Sequence, residues 1–120
     1  MSTKELVEKF YKSDALIDSE VLKDFLHPEI AFEWQSSNGL IQMNYDSMLE
    51  YAKGLSKAYV RSKVRVSHII SDGDTVAIRH AHYVKTIENP REEILLAHFM
   101  VMWQIKDNKL YRGYQMSQLS

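Results

Sequence analysis

The sequence contains no cysteine, and only four glycines and two prolines interrupt its 120 residues. The absence of cysteine excludes disulfide bonds, thiolate nucleophiles and thiolate metal sites. The glycines and prolines fall where predicted helices or strands end, and no repeat, low-complexity tract or linker divides the chain. We therefore expect a single domain over residues 1–120, built around one hydrophobic core.

The sequence also has no surplus of either charge and no long apolar run. Acidic and basic residues number 16 and 15, the net charge is -1, and one short basic segment holds Arg61, Lys63 and Arg65. This balance argues against a nucleic-acid or anionic-membrane partner. No apolar run reaches membrane-spanning length, and the segment MSTKELVEKF has the polarity of a helix start rather than of a signal peptide. Cytoplasmic residence is the simplest expectation from this composition.

The first half of the chain has the hydrophobic period of helices. Ser2, with Glu5 three residues later, predicts a capped helix that ends near Ala15. Asp18 caps a short second helix, and Asn44 begins a third that ends near residue 58. Three N-terminal helices are therefore expected.

Strands are predicted where the period changes to two, above all from residue 59 onward. A turn at Asn38-Gly39 joins two short strands between the second and third helices. The predicted strands are residues 30–36 and 40–43, and then four longer ones over residues 60–70, 75–87, 93–105 and 109–118.

The turn chemistry of ISDGDT (Ile70–Thr75) leaves two registers for the first long hairpin. A two-residue turn at Asp72-Gly73 splits the apolar residues between both faces. A three-residue loop with a left-handed Gly73 instead pairs His68 with Val76 and keeps the apolar residues together, so we favour it. The face so defined holds Val64, Val66, His68 and Ile70 beside Val76, Ile78, His80 and His82.

The next two turns extend this face across the sheet. The turn at ENPR (Glu88–Arg91) is expected to close Ile87 onto Glu92, and Asp107-Asn108 is expected to form a two-residue turn. The resulting cross-strand sets are Val76, Trp103 and Arg112; Ile78, Val101 and Tyr114; His80, Phe99 and Met116; and His82, Ala97 and Gln118. One bulge in the last strand would instead bring Tyr111, Gln115 and Ser117 onto this face.

The stretch VAIRHAHYVK (Val76–Lys85) places His80 and His82 on an otherwise apolar strand face. Their spacing fits two metal ligands, but no third ligand adjoins them, so we expect no metal and no cofactor. Two interpretations stay open. The imidazoles are hydrogen-bonded residues of a core or pocket wall, or they have a pKa near neutral and act as general acid or base.

Other residues of this face favour a pocket for a small, planar molecule. Ala97 leaves space beside His82, and large aromatic side chains supply flat surfaces. Arg112 either clamps an anionic group of the ligand or reaches solvent. The candidate catalytic residues are His80 and His82, and the candidate ligand-binding residues are Trp34, Phe99, Trp103, Arg112 and Tyr114.

The strand over residues 93–105 is apolar on both faces, and such a strand is normally covered on both. Three helices cannot cover both sides of so long a sheet. We therefore expect a homodimer in which a second copy covers the convex face of the sheet. The residues predicted on that face are Ile94, Leu96, His98, Met100 and Met102.

The order of elements resembles the nuclear transport factor two-like superfamily, and within it the SnoaL-like group. The matching segments are FYKSDALIDSEVLKDFLHPEIAFEW (Phe10–Trp34), IISDGDTVAIR (Ile69–Arg79) and LAHFMVMWQIKDNKLYRGYQMSQ (Leu96–Gln118). The resemblance implies an α+β fold, a cone-shaped, curved, mainly antiparallel sheet wrapped around three N-terminal helices, with a mostly apolar pocket. Members include steroid isomerases, polyketide cyclases, dehydratases, epoxide hydrolases and non-catalytic binding modules, so the fold does not fix the function.

Aligned with the ketosteroid isomerases, this sequence lacks their catalytic residues. Phe10 stands where that family has its oxyanion-donating tyrosine, Trp34 where it has its general-base aspartate, and Val101 where it has its protonated aspartate. None of these side chains moves a proton, which argues against that mechanism. We expect either an isomerase, cyclase or dehydratase that uses His80 or His82, or a non-catalytic ligand-binding or interaction module.

Overall fold

The structure is a computed structural model that describes residues 2–119, in which three helices and six strands are found. The helices are α1 (Thr3–Lys12), α2 (Ser19–Lys23) and α3 (Tyr45–Ser56). The strands are β1 (Leu26–Ser36), β2 (Gly39–Met43), β3 (Tyr59–Asp72), β4 (Thr75–Thr86), β5 (Ile94–Lys106) and β6 (Lys109–Leu119). The predicted domain also includes Met1 and Ser120, which lie outside the described residues. Each helix within residues 2–119 is too short or too polar to span a bilayer.

The six strands form one sheet in the order β2-β1-β6-β5-β4-β3. Neighbouring strands are antiparallel, except that β1 and β6 are parallel. The helices pack on the face of the sheet that carries Val76, Ile78 and Trp103, where they bury Val7 and Phe10 of α1. We call this the inner face and the opposite one the outer face. The predicted α+β class, with three N-terminal helices and a mainly antiparallel sheet, is confirmed.

The hairpin between β3 and β4 has a shorter turn than predicted. Asp72 pairs with Thr75, so Gly73 and Asp74 form a two-residue loop. Gly73 has a φ of 59°, which glycine adopts without strain. Its carbonyl oxygen accepts a hydrogen bond of 3.0 Å from the hydroxyl of Thr3, so the N-terminal helix holds the turn in place.

This turn moves His68 off the inner face. The predicted pairing of His68 with Val76 is wrong, because His68 pairs with Arg79 and is exposed. An unpaired Ser67 next to it forms a bulge. The bulge returns the residues that precede Ser67 in β3 to the faces on which they were predicted. Val64 therefore returns to the inner face, where it packs against the core.

The register between β4 and β5 is the predicted one up to His82. His80 pairs with Phe99, and His82 pairs with Ala97. Residues that pair directly across two strands share a face. The aligned aromatic and imidazole rings of the inner face follow from this register.

A bulge at Leu96 changes the faces beyond that point. Leu96 has no partner, because Leu95 pairs with Tyr83 and Ile94 pairs with Val84 of the inner face. The prediction that Leu96 and Ile94 lie on the convex, outer face is therefore wrong. The other residues predicted there, His98, Met100 and Met102, are exposed on the outer face.

The turn between β5 and β6 is the predicted two-residue turn, but a bulge follows it. Asp107 and Asn108 have φ values of 53° and 59°, as a type I′ turn requires. Tyr111 is then left unpaired, which reverses the faces of the rest of β6. The prediction that Arg112 and Tyr114 share the face of the histidines is therefore wrong, because both lie on the outer side.

Burial explains why the chain takes this bulge. Without it, Arg112 would lie against Trp103, which is only 2% exposed, and a buried guanidinium with no partner is costly. With it, Gly113 pairs with Trp103. A Cβ atom on Gly113 would lie 2.4 Å from Phe32 Cδ1 and 2.5 Å from Trp103 Cζ3. The stacked Phe32 and Trp103 rings, 5.3 Å apart between centroids, therefore need a glycine at this position.

Replacing Gly113 with alanine should destabilise the protein by about 1–3 kcal/mol, because the added methyl overpacks two rings. The matched control is Gly54→Ala in α3, where nothing lies within 4 Å of the added Cβ. That change should stabilise the protein by up to about 1 kcal/mol through helix propensity. Urea unfolding measures both, and a Gly113→Ala protein as stable as the wild type would contradict the packing described.

Candidate ligand-binding site

A cavity of about 220 Å³ lies between the helices and the inner face of the sheet. Its floor is formed by buried residues of α1, β4 and β5, and its mouth includes the exposed Tyr51 and Leu119. Among the described residues, the side chains that line it include no Asp, Glu, Lys or Arg. Of the residues predicted from the sequence, five line it: Trp34, His80, His82, Phe99 and Trp103.

The strand β4 places both histidines in the cavity by its period of two. Alternate residues of β4 are buried, and His80 and His82 are only 3% and 4% exposed. Ala97 is the partner of His82 on β5 and also lines the cavity. Its methyl group leaves the space beside His82 that a larger side chain would fill.

The ring of His80 lies between two aromatic rings. It stacks on Phe99 with centroids 5.0 Å apart and an interplanar angle of 13°, and the Tyr11 ring is 4.5 Å away. Its Nδ1 is buried and has no hydrogen-bond partner among residues 2–119. Buried nitrogen atoms are nearly always paired in proteins. Nδ1 has almost no accessible surface, so a partner reaches it only after a small shift of the ring or of its neighbours.

His82, in contrast, has a partner on the neighbouring strand. Its Nε2 lies 2.6 Å from the hydroxyl oxygen of Ser62 on β3. A serine hydroxyl both donates and accepts, so the bond suits either tautomer of the ring. His80 differs in having a buried ring nitrogen, Nδ1, without a partner among the described residues.

Both imidazoles are neutral at physiological pH. Burial, with a smaller contribution from the nearby His82, lowers the pKa of His80 to about 3. Burial also lowers the pKa of His82 to about 4. The expectation of a pKa near neutral is therefore wrong. Its physical reason is burial, since no carboxylate among residues 2–119 lines the cavity to compensate for the lost hydration of a charged ring.

Two other histidines, His68 and His98, lie away from the cavity. His98 is exposed on the outer face and His68 is exposed on β3. Among residues 2–119, no three His, Cys, Asp or Glu side chains are grouped so that they could hold a metal ion.

Tyr11 is the residue that the sequence reasoning missed. It is 5% exposed, lines the cavity, and its hydroxyl oxygen accepts a hydrogen bond of 2.9 Å from Trp103 Nε1. Because indole nitrogen only donates, the hydroxyl proton of Tyr11 stays free to donate into the cavity. Burial raises the pKa of Tyr11 far above its usual value, so this proton is retained. Its position one turn after Val7 on α1 was the signal that could have identified it.

Trp34 forms a second, already satisfied polar contact in the wall. Its Nε1 donates a hydrogen bond of 2.8 Å to Ser117 Oγ, and its ring meets that of Tyr51 edge-on. Ser117 lies on the inner face because of the bulge in β6. The Trp34 ring therefore offers an occupant a flat surface, and its Nε1 is already paired.

Arg112 and Tyr114 do not join this group. The Arg112 guanidinium lies 3.9 Å from the centroid of the Tyr111 ring and donates to the carbonyl oxygens of Glu29 and Tyr111. Tyr114 is 49% exposed. Both residues border a shallow polar depression that also includes Glu33, outside the cavity.

Comparison with known proteins shows likeness in structure alone. No family model and no curated protein matches the chain. Among solved structures, IdmH from Streptomyces antibioticus, a candidate polyketide cyclase, superposes with a TM-score of 0.76 at 14% identity, over 98% of this chain and 93% of that chain.

Two further structures agree with the first. A candidate SnoaL-like polyketide cyclase from Shewanella denitrificans gives a TM-score of 0.75 at 10% identity, over 97% of this chain and 90% of that chain. A Catenulispora acidiphila protein with a ketosteroid isomerase-like fold, in complex with trimethylamine, gives a TM-score of 0.73 at 10% identity, over 95% of this chain and 85% of that chain. The chain therefore has the cone-shaped α+β fold of the SnoaL-like, nuclear transport factor two-like proteins, as the sequence resemblance predicted.

Proposed function

We propose that the cavity binds a small, neutral, mostly apolar molecule, that His80 moves a proton on it and that Tyr11 stabilises the negative oxygen that forms. The observation that carries this proposal is the pairing of two uncommitted polar groups in an apolar cavity. One is the partnerless Nδ1 of His80, and the other is the free hydroxyl proton of Tyr11. Their rings are 4.5 Å apart between centroids, so one ligand functional group can reach both.

The chemistry that suits this pair is proton transfer next to a carbonyl group. His80, as the tautomer with its proton on Nε2, accepts a proton at Nδ1 from the carbon beside the carbonyl. The electron pair of the broken C–H bond moves towards the carbonyl oxygen, which becomes negative and accepts a hydrogen bond from Tyr11. Return of the proton to another carbon isomerises an unsaturated ketone. Alternatively, the carbanion attacks a second carbonyl carbon of the same molecule, which closes a ring, and the alkoxide formed when that C=O π bond breaks takes the proton from His80.

The low pKa of His80 makes this step depend on Tyr11. Burial disfavours an isolated imidazolium, but the proposed step forms the imidazolium together with an oxyanion, and the two charges attract each other at short range. The hydrogen bond from Tyr11 to the oxyanion lowers the free energy of the same state. This arrangement differs from that of the ketosteroid isomerases, since Trp34 stands at their general-base position.

The structural neighbours support an enzyme of this type. IdmH and the Shewanella denitrificans protein are candidate polyketide cyclases, and polyketide ring closure begins with removal of a proton beside a carbonyl group. Their identity to this chain is 10–14%, so they support a class of chemistry and not a substrate.

A second candidate function is non-catalytic binding of a small molecule. The observation in its favour is that burial holds the pKa of both imidazoles near 3 to 4, well below the range that suits a general base at neutral pH. The same cavity then acts as a binding pocket in which Tyr11 and His80 hold one polar group.

Hydrogen–deuterium exchange distinguishes the two functions. We expect the protein to accelerate exchange of the α-hydrogens of 2-tetralone, a neutral enolisable ketone, in D₂O as followed by proton NMR. The change His80→Phe should lower this rate by at least about a hundredfold, because the base is lost. Tyr11→Phe should lower it by about a hundredfold through loss of the oxyanion donor.

The matched control is His68→Phe, the same change at an exposed position outside the cavity. It should leave the exchange rate unchanged, and circular dichroism should show that all variants are folded. Equal exchange by wild type and His80→Phe would contradict the catalytic proposal. Saturable binding of 2-tetralone without any exchange would favour the non-catalytic function.

We also propose that the protein is a homodimer through the outer face. Met100 pairs with Met116 and Met102 pairs with Tyr114, which forms a continuous apolar surface across β5 and β6. These four side chains are 49–65% exposed in the single chain. An exposed apolar patch at the centre of a sheet is typical of a subunit interface, and a second copy of the same patch covers it by two-fold symmetry.

Sedimentation tests the dimer. The wild type should sediment as a dimer at micromolar concentration, and Met100→Glu should yield a folded monomer, because the new carboxylate would lose its hydration in the interface. Leu40→Glu, at a 51% exposed strand position away from β5 and β6, is the control and should remain dimeric. A monomeric wild type would contradict this proposal.

A further inference from the structure

The volume of the cavity limits what it can enclose. Its 220 Å³ exceed by about half the roughly 150 Å³ of an engineered apolar cavity that binds benzene. They fall below the ~300 Å³ at which pockets for drug-sized ligands begin. A single ring would leave contacts unmade, and three fused rings would not fit inside. The enclosed part of the occupant is therefore about two fused rings.

Three alanines, one in the turn between α1 and α2, one in α3 and one in β5, leave this space. Ala15, Ala52 and Ala97 are each 3% exposed or less and line the cavity. Because a buried cavity wall is close-packed and adjusts little, a larger side chain at any of them would take up part of the volume. Ala97 is the most informative of the three, since it lies directly opposite His82.

The walls favour a flat occupant. The parallel rings of His80 and Phe99 form one surface, at an interplanar angle of 13°. Trp34 and Trp103 add two indole rings to the lining. Aromatic rings gain from offset stacking and edge-to-face contacts with one another, so an aromatic occupant matches this lining better than an aliphatic one.

Unfilled hydrogen-bonding capacity is present at two points of the cavity wall. Tyr11 and His80 provide it among the buried residues, and the Ser117 hydroxyl, which accepts from Trp34, also keeps its own proton. No side chain that carries a full charge at neutral pH lines the cavity within the described residues, because burial lowers the pKa of both histidines. A charged group on the occupant would thus be buried without a counter-ion.

From these observations we infer that the site takes a neutral, flat molecule of two fused rings with one hydroxyl or carbonyl group directed at Tyr11 and His80. This inference rests on the proposed function, since it concerns the same cavity. A hydroxyl group suits the pair, because it accepts from Tyr11 and donates to a neutral imidazole. Anything larger than two rings extends between Tyr51 and Leu119 into the mouth, where it gains few contacts.

A series of ring sizes tests the inference by calorimetry at neutral pH, with phenol, 2-naphthol and 2-hydroxyanthracene as probes. Affinity should rise at least about tenfold from phenol to 2-naphthol and less than about twofold from two rings to three. 2-Naphthoate, which has the same rings and a negative charge, should bind at least about a hundredfold more weakly than 2-naphthol.

The variant Ala97→Leu should reduce 2-naphthol affinity at least about tenfold and leave phenol affinity within about twofold, because it removes space for the second ring. The control Ala58→Leu adds the same atoms at an exposed position and should change neither affinity. Should Ala97→Leu fail to fold, Ala97→Val makes a smaller change of the same kind and should reduce 2-naphthol affinity about threefold.

The outcomes separate this inference from the proposed function. An affinity that rises tenfold again with the third ring, or equal binding of 2-naphthoate and 2-naphthol, would overturn the two-ring, neutral assignment and leave the pocket in place. Failure of every probe to bind would overturn both the inference and the pocket. Binding of 2-naphthol that is unaffected by Ala97→Leu would place the occupant elsewhere and overturn the inference.

Discussion

The indole of Trp103 connects the sheet, the first helix and the cavity. It is among the largest fully buried side chains, stacks on Phe32, and lies where only Gly113 leaves room for it. Its nitrogen donates to Tyr11 of α1. This hydrogen bond determines which way the tyrosine proton points, so the packing that requires a glycine in β6 also orients a polar group of the site.

The second constraint is that, within residues 2–119, no Asp, Glu, Lys or Arg lines the cavity. Two imidazoles are buried there, so their pKa values fall and both rings stay neutral. Neutral rings can stack closely on Phe99 without the cost of a buried ion. They also leave a nitrogen of His80 without a partner, which is the feature that favours a bound molecule over a plain core.

Most elements of the fold could be predicted from the sequence, whereas the bulges could not. The alternation in β4 predicted the pairing of His80 with Phe99 correctly. The predicted closure of Ile87 onto Glu92 is wrong, because β4 ends at Thr86, β5 begins at Ile94, and the bulge at Leu96 shifts the register before the turn. An unpaired residue leaves no mark in the hydrophobic period, so the bulge at Leu96 was missed, and a bulge in β6 was only the alternative to the register we favoured. One physical signal was nevertheless present, since the predicted register placed Arg112 against the buried Trp103.

Part of the candidate site could also be predicted from the alternation of residues in the strands. The histidines and Trp34, Phe99 and Trp103 line one cavity, as their assigned positions implied. Tyr11 was missed because its role depends on a partner 92 positions away in the chain. The pKa of the histidines could not be foreseen, since it depends on which side chains surround them in three dimensions.

The central claim is that His80 is a neutral imidazole with an unpaired Nδ1 in the wall of the cavity. A pH titration of the nitrogen-15 shifts of histidine-labelled protein tests it directly, with His80→Phe used to assign the signals. The account predicts that His80 stays neutral from about pH 8 down to about pH 5, and that 2-naphthol shifts the Nδ1 signal. A His80 that titrates near pH 6.5, its ordinary value, and does not respond to 2-naphthol would contradict the account.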